Sequence, residues 1–193
     1  MTSQERTALL VMDVQRNIVE RYASDPGLLD RIGDAIAAAR SRQVPIVYVV
    51  VQFRSGFPEV SSRNKSFSAL ASSGASFADP SAAAVHPAIA PAEGDVTVVK
   101  RRVSAFTGSD LEVVLRARAI EHVVLCGIAT SGVVLSTLRE AADRDYRITV
   151  LADCCTDGDD EVHRVLTQKV FPRQAEVLTA REWIAGLQHG DYK

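Results

Sequence analysis

The sequence predicts an α/β fold in which a parallel sheet carries helices on both faces. Three observations lead there. Six short apolar runs, most of them rich in β-branched residues, recur along the chain. Segments with apolar residues at three- and four-residue spacing lie between most of these runs, as βαβ units require. The runs are almost continuously apolar instead of alternating, which is the mark of strands buried on both faces.

The elements follow in order. Thr7–Asp13 is the first strand. After Ser24-Asp25-Pro26-Gly27, the residues Leu28, Ile32, Ile36 and Ala39 share one helical face. Pro45–Gln52 is the second strand and Asp95–Lys100 the third. Ser109 with Glu112 has the spacing of a capping box, opening a helix to about Ala119. His122–Gly127 is the fourth strand, followed by a helix with Val134, Leu138 and Ala141 on one face. Arg147–Asp153 is the fifth strand. Val162, Val165, Leu166 and Val170 mark the next helix, ended by Pro172. Ala175–Thr179 is the sixth strand. Thr179 and Glu182 form a second capping box, and Trp183 anchors the last helix. Spacing alone leaves the strand order open. The connection between the second and third strands runs to about forty residues, long enough for a lid, a binding loop or a spacer.

The 193 residues carry 47% hydrophobic content and a net charge of −2, which fits one domain with a sizeable core. Near-neutral charge gives no reason to expect nucleic acid. No run approaches a membrane span, and the start lacks the pattern of a signal peptide. Three cysteines without framework spacing point to reduced thiols and a cytoplasmic location.

Ligands of open parallel sheets bind beyond the carboxyl ends of the strands. There the chain places Asp13-Val14-Gln15, Gln52-Phe53-Arg54, Lys100, Gly127-Ile128-Ala129-Thr130 and Asp153-Cys154-Cys155. Asp13 is either a structural carboxylate or an acid–base group, and Lys100 either a solvated cation or its partner. The turn after the fourth strand offers backbone amides suited to an oxyanion, or is an ordinary strand-to-helix turn. Gln15, Phe53, Arg54, Phe106 and Thr130 are expected around a substrate. Cys126 reads as a core residue, Cys154 and Cys155 as packed thiols that could border a pocket. Ser131 has no evident base. His86, His122 and His163 read as loop or helix-surface positions, with His86 a possible pocket residue.

Three pieces stand in order: Leu-Leu-Val-Met-Asp-Val-Gln ending at Gln15, Val-Val-Lys-Arg-Arg-Val-Ser-Ala-Phe ending at Phe106, and the stretch from Leu125 to Tyr146. From about Thr7 to Thr179 they resemble the isochorismatase-like hydrolase family, which includes nicotinamidases and N-carbamoylsarcosine amidases. The resemblance implies a three-layer α/β/α fold with a six-stranded parallel sheet in order 3-2-1-4-5-6. It also implies homo-oligomers, dimers or tetramers. Its thiol branch uses an aspartate, a lysine and a cysteine. Asp13 and Lys100 match the first two, and Val133 occupies the cysteine position. A cis peptide between Ile128 and Ala129 is implied too, with the amides of Ala129 and Val133 directed into the pocket. Valine closes the covalent route. The isochorismatase branch, which has glycine there, is understood to cleave a vinyl ether with the aspartate as acid. Nicotinamidase-like members carry Asp-x-His after the second strand; Gln52-Phe53-Arg54 replaces it, so neither metal nor another cofactor is expected. The reading is a small-molecule hydrolase for an amide or enol-ether substrate, working without a thiol. The alternatives are a catalytically silent binder of a metabolite or partner chain, and a thiol enzyme using Cys154 or Cys155.

Overall fold

A computed structural model describes residues 6–73, 77–81 and 83–189. The sheet has six parallel strands in the order 3-2-1-4-5-6, as the resemblance implied. They are β1 (Thr7–Met12), β2 (Ile46–Val51), β3 (Val96–Lys100), β4 (His122–Ile128), β5 (Arg147–Thr156) and β6 (Glu176–Leu178). The helices are α1 (Arg16–Tyr22), α2 (Leu28–Ser41), α3 (Lys65–Ser72), α4 (Leu111–Ala117), α5 (Leu135–Ala142), α6 (Asp160–Val165) and α7 (Ala180–His189).

Every residue of β1, β2 and β4 is buried, which explains why those strands read as unbroken apolar runs. Their side chains still alternate between the two faces. Leu9, Val11, Tyr48 and Val124 pack with α2 and with Trp183 of α7. Leu10, Met12, Val49 and Leu125 pack with Leu115 of α4 and Leu138 of α5. Among the described residues no helix is long and apolar enough to cross a membrane.

Several local expectations change. The reciprocal capping box expected at Ser109 and Glu112 does not form: Ser109 Oγ accepts the amide of Leu111, the first residue of α4, and donates to the Ala105 carbonyl, while Glu112 turns to Arg144 and Arg116. The second capping box does form, with the Thr179 amide donating to Glu182 Oε2 at 2.8 Å and the Glu182 amide to Thr179 Oγ1 at 3.2 Å. The helix after β5 is broken: α6 widens into a π-helical turn at Leu166–Val170, then a 3-10 turn at Phe171–Arg173. Its apolar stripe is only partly covered, with Val162 exposed and Thr167 and Phe171 buried. Helices α1 and α3 lie where no helix was expected; both are short, so neither shows a periodic stripe. Asn64 Oδ1 caps α3 by accepting the Phe67 amide at 3.1 Å.

His122 is a core residue, not a surface one. It is 1% exposed and sits between the hydroxyls of Thr7 (3.2 Å) and Thr149 (2.9 Å). Burial and the charge of Arg147 lower its pKa to about 4. The folded protein thus holds His122 neutral while the unfolded chain takes up a proton below its ordinary value near 6.5. Stability falls as pH drops through the window from 6.5 to about 4, by on the order of 3 kcal/mol from this group. Urea unfolding across that window is expected to show a shallower decline for His122→Gln than for the parent; equal declines would remove His122 as the cause.

Gly127 answers a close approach. Its φ is +139°, and a Cβ there would lie 1.9 Å from the Met12 carbonyl oxygen on β1. Gly127→Ala is expected to lose about 3–5 kcal/mol of stability, or fail to fold. A denaturation midpoint within the error of the parent's would contradict this packing.

Candidate active site

The strand order brings the chemistry together. β1 and β3 flank β2, and Lys100 pairs with Val51 at the carboxyl end of β2. One residue beyond β1, the chain turns at Asp13 with φ +54°, a conformation Asp tolerates better than most residues. The Asp13 amide donates to the Val49 carbonyl at 2.8 Å, fixing this turn against β2. Lys100 therefore reaches across the end of β2, and its Nζ lies 2.8 Å from Asp13 Oδ2. Its second partner is the Arg102 carbonyl at 3.0 Å.

Both charges are buried, Asp13 at 6% and Lys100 at 2% exposure. Burial pushes the Asp13 carboxyl up; the adjacent ammonium opposes that, and burial prevails. Asp13 Oδ1 is buried with no hydrogen bond of normal geometry among the described residues, although the Val51 backbone N–H lies close enough to the carboxyl to favour its ionised form. The residues after Lys100 are held by neighbouring loops. Arg101 pairs with Glu59 at 3.0 Å, and the Arg102 guanidinium donates to the carbonyls of Arg101 and Glu59.

The pair faces a cavity of about 820 Å³. The end of β4 supplies one wall through Ile128, Ala129, Gly132 and Val133. The Ile128–Ala129 peptide bond is cis. The Ala129 carbonyl accepts the amides of Gly132 (3.0 Å) and Val134 (3.3 Å). α1 also lines it, as does α3 through Phe67 and Leu70. The long connection thus contributes a wall of the cavity.

Asp13, Lys100, Ile128, Ala129 and Val133 line the cavity together; five other sequence-derived expectations do not. Gln15 is fully buried, and its amide is committed to the backbone: Nε2 donates to Val51 and Ala83 carbonyls, and Oε1 accepts the Val51 amide. Thr130 is equally enclosed, with Oγ1 2.8 Å from His163 Nδ1 behind the turn. Phe53 packs between Phe57 and Phe67, one layer back from the wall. Arg54 points outward and pairs with Glu59 at 2.5 Å. Phe106 lies in the core on the other face of the sheet, against Tyr146. His86 caps the short turn at Pro87–Ile89 and does not line the cavity. Ser131 is exposed, its amide donating to Asp157 Oδ2 at 2.6 Å. Sequence reasoning missed Asn17, which lines the cavity from the first turn of α1. Recognising α1 would have pointed to it. Among the described residues no three His, Cys, Asp or Glu side chains gather as metal ligands.

Comparison with known proteins agrees with this frame. Residues 7–182 match the isochorismatase domain family. The chain is 33% identical to YwoC of Bacillus subtilis (strain 168), an uncharacterized isochorismatase family protein, over 93% of each chain. It is 31% identical to a ureidoacrylate amidohydrolase of Methylobacterium radiotolerans, covering 82% of this chain and 70% of that one. A cysteine hydrolase from Pseudomonas syringae pv. phaseolicola superposes with a TM-score of 0.89 at 25% identity, over 97% of this chain and 94% of its own.

The thiols are enclosed. Cys126 and Cys154 have no exposed surface and Cys155 has 5%, and none lines the cavity. Burial raises all three: Cys126 well above its ordinary value, Cys154 further than Cys155, which reaches about 12. A thiol of that kind is neither ionised nor accessible near neutral pH. The folded protein is expected to resist an aromatic disulfide reagent that titrates all three cysteines in denaturant. Rapid labelling of one thiol in the folded state, with loss of activity, would revive a displaced cysteine nucleophile.

Proposed function

The chain belongs to the isochorismatase family of hydrolases, and from that premise we propose that it hydrolyses a small amide or enol-ether substrate without a cysteine nucleophile. The observation that carries this reading is the buried Asp13–Lys100 pair at a cavity open to solvent, lined also by the turn where Val133 stands. Valine has no atom that can attack a carbonyl, so water is the nucleophile. For an amide, Asp13 takes the proton from the attacking water and delivers it to the leaving nitrogen. A carboxyl raised by burial is a stronger base than an exposed one, which suits this role. Lys100 holds Asp13 in position and keeps one of its oxygens occupied. The amides of Ala129 and Val133 take the negative charge that develops on the carbonyl oxygen. For an enol ether the same carboxyl acts as acid. That the Methylobacterium radiotolerans relative is a ureidoacrylate amidohydrolase favours the amide form.

The test starts from a turnover screen of carboxamides, ureides including ureidoacrylate, and isochorismate. Asp13→Asn is expected to lower kcat on any substrate found by about 10²–10⁴-fold. Circular dichroism is expected to show the fold retained. Undiminished turnover in the Asn variant would end the acid–base assignment.

A further inference from the structure

The turn after β4 has a back as well as a front, and its back is held by two side chains from the segment after β5. Ala129, Gly132 and Val133 line the cavity; Thr130 and Ser131, between them, do not. The Ser131 amide donates to Asp157 Oδ2 at 2.6 Å, and the Thr130 hydroxyl lies 2.8 Å from His163 Nδ1. Asp157 stands just beyond β5, and His163 lies within α6.

The two ties differ in what can replace them. Ser131 is exposed, so water can stand in for Asp157. Thr130 has no exposed surface, and among the described residues its hydroxyl bonds only to His163. A buried hydroxyl proton without an acceptor is unfavourable, so the hydroxyl donates and Nδ1 accepts. The proton of the neutral imidazole is then on Nε2. An imidazolium carries a proton on both nitrogens and cannot accept. Protonation of His163 therefore removes the one acceptor of Thr130, which is bonded directly to Ala129 in the cavity wall.

No side chain of the turn from Thr130 to Val134 is charged. The carboxylates of Asp157, from the loop after β5, and Asp160, on α6, favour the charged imidazole. Burial opposes them and prevails, holding His163 below its ordinary value near 6.5. Glu161 and Arg164, its neighbours on α6, pair with each other at 2.6 Å. The accepting form is thus the one populated near neutral pH.

We propose that His163 is a positioning residue: by accepting the Thr130 hydroxyl it sets the orientation of the Ala129 and Val133 amides at the cavity, and it does so only as the neutral imidazole. The consequence for turnover rests on the proposed hydrolase reading; the link from His163 to the cavity wall does not.

Nuclear magnetic resonance on the isotope-labelled full chain tests it. The amide signals of Ala129, Gly132 and Val133 are followed beside the His163 imidazole from about pH 8 to about pH 5. In the parent the three amides are expected to move with the His163 midpoint. In His163→Asn, whose Oδ1 takes the place of Nδ1 and does not titrate, they are expected to stay near their neutral-pH parent positions. In His163→Phe, which fills the space without an acceptor, they are expected to be displaced at every pH. Thr130→Val separates the hydrogen bond from the field of the new charge: His163 still titrates, and the amides are expected not to follow. Amides that ignore His163 in the parent, keep parent positions in His163→Phe, or follow His163 undiminished in Thr130→Val overturn the proposal. If His163→Phe does not fold, the parent and Thr130→Val decide. On any substrate from the turnover screen, His163→Phe is expected to lower kcat by on the order of 10²-fold with KM little changed, and His163→Asn to keep it. Coupled amides in a protein whose turnover ignores Asp13→Asn would remove the acid–base reading and leave His163 in place. Turnover abolished by Asp13→Asn with uncoupled amides would remove His163 alone.

Discussion

A carboxylate and an ammonium, both almost without solvent, meet at 2.8 Å over the end of β2. Neither could be kept charged there alone, since removing one member of a buried ion pair costs about 3–5 kcal/mol. The pair therefore constrains much around it. β1 and β3 must sit on either side of β2, so that residues far apart in sequence end within one side chain's reach. The turn at Asp13 must adopt positive φ. The chain after Lys100 must offer the Arg102 carbonyl, and the Arg102 guanidinium in turn grips the carbonyls of Arg101 and Glu59. Glu59 belongs to the long connection, so that segment helps set the lysine as well as walling the cavity.

Val133 changes the balance of this site. An apolar side chain beside the pair contributes no charge and no hydrogen bond to it, and adds to the low-polarity surroundings that raise the Asp13 carboxyl. The neighbouring turn keeps its shape from the outside: Asp157 receives the Ser131 amide and His163 meets Thr130. The geometry of the turn thus depends on contacts behind the wall, which a change at position 133 leaves in place.

The layers and strands were legible because burial on both sheet faces leaves unbroken apolar runs, and because Val134, Leu138 and Ala141 keep a clean helical stripe. Strand order was not in the spacing; it came only with the motif around Asp13, Lys100 and the Gly127 turn, and the sheet has that order. What stayed illegible was direction. Gln15, Thr130 and Phe106 lie within a few residues of cavity-lining positions, yet a side chain's aim depends on tertiary partners. Helices α1 and α3 were too short for a period to emerge, which hid Asn17 and the far wall. His122 was misplaced because a histidine at a strand start gives no sign of the two threonines that enclose it.

Hydrogen-bond saturation separates the polar residues that proximity in sequence cannot. Gln15 satisfies both ends of its amide with backbone groups, and Thr130 has His163; such groups fix loops and have little left to offer a ligand. Asp13 and Asn17 each keep one buried oxygen without a hydrogen-bond partner among the described residues. In a folded chain most buried polar atoms are paired, because each unpaired one opposes folding. An apolar residue in place of Asp13 would leave the Lys100 ammonium buried without its counter-charge, so the two are kept or lost together. The groups that folding has already satisfied hold the loops, and the Asp13–Lys100 pair is what the cavity presents.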